Sequence, residues 1–191
     1  RVIIFNGNLT PPTFIKRMAE GLKAHNKLYL LGFAENCWSY QREGVYRVNL
    51  GSNRHITIFF LRTSILFFLS FFRRPVDTWS RLKTLFRGPF NRKNLSEFNL
   101  QNALQVIQPD IIHIQWASHL KLFRYLLDKP REQRPRIIVI LRGRLINVSP
   151  HVDPGIAELY REYFPKVDGF HAVSQAIAEE AVRWGASRKK I

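Results

Sequence analysis

Short runs of Val, Ile, Leu and Phe recur along the chain, and between them lie longer segments whose apolar residues return with the helical period. Val2, Ile3, Ile4 and Phe5 are apolar without a break and predict a strand buried on both faces. Residues 13–25 follow as a helix, with Phe14, Met18 and Leu22 on one stripe. Residues 28–31 predict a second strand and the alternating residues 45–50 a third. Residues 56–72 are strongly apolar. Residues 73–94, with Pro75, Gly88 and Pro89, predict loop with a short helix; residues 95–108 predict a helix stopped by Pro109, because proline drives its predecessor out of helical geometry. Strands return at 110–114, 136–141 and 169–173. Helices are expected at 118–127, ahead of Phe164, and at 174–184, the last closed by Gly185.

Strands apolar on both faces, alternating with helices, predict a parallel sheet covered on each side, so the fold class is α/β, doubly wound. A length of 191 residues suits one domain, 1–191, with no internal repeat. The 46% hydrophobic content excludes a disordered chain. Cys37 is the sole cysteine, which excludes an intrachain disulfide scaffold or a cysteine metal cluster. Thirty Lys+Arg against 14 Asp+Glu give a formal charge of +16, which calls for an anionic partner: nucleic acid, an acidic membrane surface or a phosphorylated small molecule. The chain opens on Arg1 directly ahead of a strand, so it is expected to be a fragment, and no secretory leader is visible. A cytoplasmic location is expected, with peripheral attachment to the inner face of the membrane as an extension.

Ligands of open parallel sheets bind beyond the carboxyl ends of the strands. Asn6, Gly7 and Asn8 follow the first strand there, Gln115 and Trp116 the fourth, Arg142, Gly143 and Arg144 the fifth, and Ser174 the sixth. Asn6-Gly7-Asn8 precedes a helix whose N–H groups suit a phosphate, although Pro11-Pro12 also suits an ordinary turn. Arg142 and Arg144 carry paired donors for phosphate oxygens, the alternative being a solvated loop. His113 reads either as a hydrogen-bonded core histidine or as a pocket residue, and Ser174 as a helix N-cap. His151 and Asp153 lack a third metal ligand at suitable spacing.

Residues 42–93 carry eleven Lys/Arg against Glu43 and Asp77. Residues 56–72, interrupted by Arg62 and flanked by Arg54 and Arg73-Arg74, are marginal as a membrane span. They suit either a helix buried against the sheet or attachment to an anionic bilayer surface, and different faces can do each.

Asp168-Gly169-Phe170-His171-Ala172-Val173-Ser174, followed by Ile177-Ala178, Gly185-Ala186 and Lys190-Ile191, resembles the stretch that closes the N-terminal domain of family 4 glycosyltransferases. Residues 110–116 resemble their fourth-strand motif, and Leu141-Arg142-Gly143 their Arg-Gly variant after the fifth strand. The resemblance implies a Rossmann-like three-layer domain with a mostly parallel sheet, the acceptor-binding N-terminal half of a two-domain, retaining GT-B enzyme. It implies no cofactor bound by this domain, a nucleotide-sugar donor held mainly by an absent C-terminal domain, and a glycan or lipid-linked acceptor in surface-polysaccharide synthesis. Such a half alone is expected to be inactive. The chain departs from the pattern in having Arg142 where many members have histidine, Gln115 at another frequent histidine position, and Gly7 as the one glycine of a loop that is often glycine-rich. On this reading Arg142 and Arg144 stabilise phosphate or developing negative charge, the Asn6 to Asn8 loop approaches the donor diphosphate, and His113 with Trp116 shapes the acceptor pocket. A nucleic-acid or membrane-binding module without catalysis is the competing class; no nucleic-acid motif accompanies the charge, which makes nucleic acid the weakest partner.

Overall fold

The computed structural model describes residues 1–34, 43–52, 54–89 and 91–191. Cys37 and Arg42 lie outside the described residues. Among the described residues six strands, β1 (Val2–Asn8), β2 (Leu28–Ala34), β3 (Val45–Ser52), β4 (Ile111–Ile114), β5 (Arg136–Leu141) and β6 (Gly169–Ala172), form one all-parallel sheet in the order β3-β2-β1-β4-β5-β6, flanked by helices. This is the expected α/β, Rossmann-like three-layer class. By its contacts the chain divides into two compact units, one of Arg1 with residues 6–109, the other of residues 2–5 with 110–191.

In the first unit, β2 and β3 pair from Leu28 opposite Val45 to Ala34 opposite Ser52, with a register shift after Gly32. Gly32 is required because a Cβ there would sit 2.5 Å from the backbone carbon of Asn8. The helices are α1 (Thr13–Lys23), α2 (Ile56–Arg73), α3 (Pro75–Arg87) and α4 (Arg92–Ile107). In α1 the deeply buried residue is Ile15, while Phe14 is exposed, so the expected Phe14 stripe is rotated by about one position. Residues 73–94 are mostly helix and not loop: Pro75 stands at the first position of α3, where a missing N–H costs nothing. Asn91 caps α4 by accepting from Asn94 N at 2.9 Å, and Gln108 ends it in the left-handed region, φ 52°, just ahead of Pro109.

In α2 the buried positions are Phe59, Leu66 and Ser70, spaced to share one side of the helix. Phe59 stacks on Phe33, and Gly51 makes room for it, since a Cβ at Gly51 would lie 2.6 Å from the Phe59 ring. Polar groups seal the helix contacts: Asn99 of α4 donates to Leu50 O at 2.8 Å and to Thr63 Oγ1 at 2.9 Å.

In the second unit, residues 2–5 of β1 pair with β4, from Val2 opposite Ile111 to Phe5 opposite Ile114. β5 follows with Ile138 opposite His113, then β6 with Gly169 opposite Ile138. A 3-10 turn, Ala117–Leu122, and a short helix α5 (Arg124–Leu127) replace the single helix expected at 118–127. Beyond β5 come α6 (Gly143–Asn147), α7 (Ser149–Val152) and α8 (Pro154–Tyr163), and beyond β6 comes α9 (Gln175–Arg183). Phe5, Phe123, Tyr160 and Phe164 are wholly buried, Phe5 edge-on to Phe123 and Tyr160 stacked on Phe164.

Candidate functional site

Side chains of a strand alternate between faces, and partners in a parallel ladder point the same way. His113 and Gln115 of the β4 strand and its exit, Ile138, Ile140 and Arg142 of the β5 strand and its exit, and Gly169 and His171 of β6 therefore share one face in the second unit. The polar members, His113, Gln115, Arg142 and His171, gather at the carboxyl end, with aliphatic residues behind them.

Gln115 is fully buried and its Nε2 stands 2.9 Å from His113 Nδ1. The amide N–H donates, so His113 accepts at Nδ1 and carries its proton on Nε2. Burial first, then the nearby His171 and Arg142, together lower the His113 pKa from 6.5 to about 4, so the ring is neutral at pH 7. Gln115 N also donates to Phe5 O at 3.0 Å, which extends the β1–β4 ladder and fixes the residue that orients the histidine.

Arg142 leaves β5 in extended conformation and is half-buried, and burial lowers its pKa. Its guanidinium lies 5.9 Å from the centroid of the Trp116 ring, within cation–π range. The chain turns at Gly143, φ 31°, into α6, so Gly143 and Arg144 open a helix where a loop was expected. Beneath α6 the buried Tyr160 donates from its hydroxyl to Leu145 O at 3.0 Å. Arg144 is exposed.

The second unit thus brings together His113, Gln115, Trp116 and Arg142, and adds His171. His171 lies opposite Ile140, two residues before Arg142, so the ladder sets it on the same face. Asn6, Gly7 and Asn8 belong to the first unit, and they prolong β1 instead of forming a loop after it. Asn6 Nδ2 donates to Asn8 Oδ1 at 2.8 Å, Asn8 Oδ1 also accepts from Thr10 N, and Gly7 has φ 86°. Helix α1 starts only at Thr13, after Pro12, so its N-terminal turn is separated from Asn8 by four residues. Nearby, Arg47 donates to Leu9 O at 3.1 Å, a basic neighbour that the sequence reading had not singled out.

Other sequence candidates hold structural positions. Ser174 caps α9, accepting from Ile177 N. Asp153 caps α8, accepting from Gly155 N at 2.9 Å, and His151 Nε2 pairs with Glu180 at 2.8 Å. Asp168, at the head of the Asp168 to Ser174 motif, accepts from Ile137 N at 2.7 Å and pairs with Arg134 and Arg131, which ties the start of β6 to β5.

Fold and site together define a Rossmann-like α/β protein with a neutral, oriented histidine and a partly desolvated arginine at the carboxyl end of its sheet. No protein-family model and no curated protein sequence matches the chain.

Proposed function

We propose that the chain is the acceptor-binding N-terminal half of a retaining GT-B glycosyltransferase, working in the cytoplasm on a nucleotide-sugar donor and a glycan or lipid-linked acceptor of surface-polysaccharide synthesis. One observation carries the reading. Three stretches that resemble family 4 glycosyltransferases, at 110–116, 141–143 and 168–174, fall on the neighbouring strands β4, β5 and β6 and place His113, Trp116 and Arg142 at their carboxyl ends.

In the transfer, an acceptor hydroxyl oxygen bonds to the anomeric carbon as the bond from that carbon to the nucleoside diphosphate breaks. The electron pair goes to the phosphate oxygen, and the acceptor proton leaves with the diphosphate. Arg142, a cation held by Trp116 and partly withdrawn from water, stabilises the negative charge that grows on phosphate oxygen. His113, fixed by Gln115, presents an Nε2–H donor to the acceptor or sugar, and Arg144 adds a second cation. The C-terminal domain of the full-length enzyme supplies the rest of the donor site.

The test is to incubate the full-length protein with a panel of UDP-, GDP-, ADP- and dTDP-sugars and to follow nucleoside diphosphate release and the anomeric configuration of the product. Release with one donor, raised by an acceptor and with retention, is expected. Failure of every donor, together with salt-sensitive binding to nucleic acid, would sink the proposal.

A further inference from the structure

An α-helix that is apolar on all sides is ordinarily buried on all sides or surrounded by lipid. Helix α2, 18 residues with mean hydropathy 1.6, is only 17% buried within the protein. Its Phe59, Leu66 and Ser70 side is packed, and Phe67 stacks on Phe98 of α4. On the other side Leu61 is 60% exposed, Phe68 56% and Phe72 82%. Past the turn at Arg74, Val76 and Trp79 of α3 lie exposed three residues apart on one face.

Polar contacts hold the two helices together. Ser70 Oγ and Thr78 Oγ1 are 2.9 Å apart and buried, and Gln105 of α4 donates to Arg74 O at 3.3 Å. Around the apolar strip the charge is one-sided. Between Arg54 and Lys93 the sequence holds nine Lys/Arg and a single acid, Asp77, which sits 3.7 Å from Arg74. Arg62, Arg73, Lys83 and Arg87 are exposed.

We propose that the α2–α3 face lies flat on a bilayer surface containing anionic lipid, with Leu61, Phe68, Phe72, Val76 and Trp79 in the interfacial layer and the surrounding Arg and Lys on lipid phosphates. An apolar centre within a cationic rim matches the two layers of such a surface, and tryptophan favours that boundary. A second copy of the same face would set like charges against each other. Nucleic acid would satisfy the arginines but leave the phenylalanines without a partner. Crossing the bilayer would strip the packed side of α2 from α4 and carry exposed Arg62 into hydrocarbon. The inference is independent of sugar transfer and is tested without it.

The experiment is co-sedimentation of the full-length protein with vesicles of phosphatidylcholine alone and of phosphatidylcholine mixed equally with phosphatidylglycerol. Binding to the mixed vesicles alone is expected, weakening as salt is raised. The exposed-site variants Phe68→Ser/Phe72→Ser and Lys83→Gln/Arg87→Gln should each lower partitioning by about tenfold or more with an unchanged circular dichroism spectrum. As a second readout, a blue shift of tryptophan emission on mixed vesicles should be lost in Trp79→Phe. Equal binding to neutral vesicles, or binding that neither double variant alters, would overturn the proposal. So would dimerisation abolished by Phe68→Ser/Phe72→Ser in the absence of vesicle binding, or protection of α2 and α3 by another part of the full-length chain without lipid.

Discussion

Gln115 Nε2 donates to His113 Nδ1 at 2.9 Å, a bond that the histidine can accept only while that nitrogen carries no proton. Burial, with His171 and Arg142 nearby, keeps the ring neutral by lowering its pKa to about 4. His119, half-buried and edge-on to Phe5, is likewise lowered to about 4, by desolvation first and Lys121 second.

Both histidines therefore oppose acid. The unfolded chain takes up protons near 6.5 and the folded chain near 4, so stability is full above about pH 6.5 and drains as pH falls through that window. By pH 5 each histidine should have withdrawn about 2 kcal/mol. Urea unfolding at pH 7 and pH 5 checks this, and His119→Phe should remove part of the difference. An unchanged midpoint at the two pH values would count against neutral burial.

A second outcome concerns Asp168. Its carboxylate is the acceptor for Ile137 N and for the buried guanidinium of Arg134, whose side chain is 4% exposed. Asp168→Ala leaves that cation without its counter-charge and should cost about 3–5 kcal/mol in denaturant unfolding. Asp168→Asn keeps an acceptor for Ile137 N and should cost less. Equal losses would show that the charge contributes little.

Helix α4 offers a matched pair. Asn99 and Asn102 are both fully buried, but Asn99 donates to Leu50 O and Thr63 Oγ1, while among the described residues neither amide atom of Asn102 has a hydrogen-bond partner. Asn99→Leu should destabilise by about 1–3 kcal/mol, whereas Asn102→Leu should be neutral or stabilising by about 1 kcal/mol. Thermal unfolding of the two variants side by side decides it; the same sign and size for both would remove the distinction.

The strands were legible because each is a run of branched apolar residues that can be buried on two faces, as in residues 2–5 and 136–141. Helix α3 was hidden because it buries so little: Thr78 and Leu85 face inward, and Val76 and Trp79 face out, so no apolar stripe marks a core side. In α1 the stripe through Phe14 was drawn one position away from the one that Ile15 anchors, because Phe14 adds hydrophobicity on the open side. At the site, strand ends pointed to Gln115, Trp116 and Arg142, whereas His113 stood inside the fourth strand as either a core or a pocket residue. The Gln115–His113 bond was not foreseen, although period two places them on one face. Asn6 to Asn8 read as a loop because Asn and Gly are turn formers, yet they continue β1, where Gly32 alone permits the close approach of Asn8.

The most direct measurement is kcat/KM for sugar transfer by the full-length protein and its Arg142→Ala and Arg142→Lys variants. If the guanidinium stabilises charge on the leaving phosphate, Arg142→Ala should fall by about 100-fold or more, mainly in kcat, and Arg142→Lys should recover part of the loss. Arg142→Ala with near wild-type kcat/KM would contradict the account.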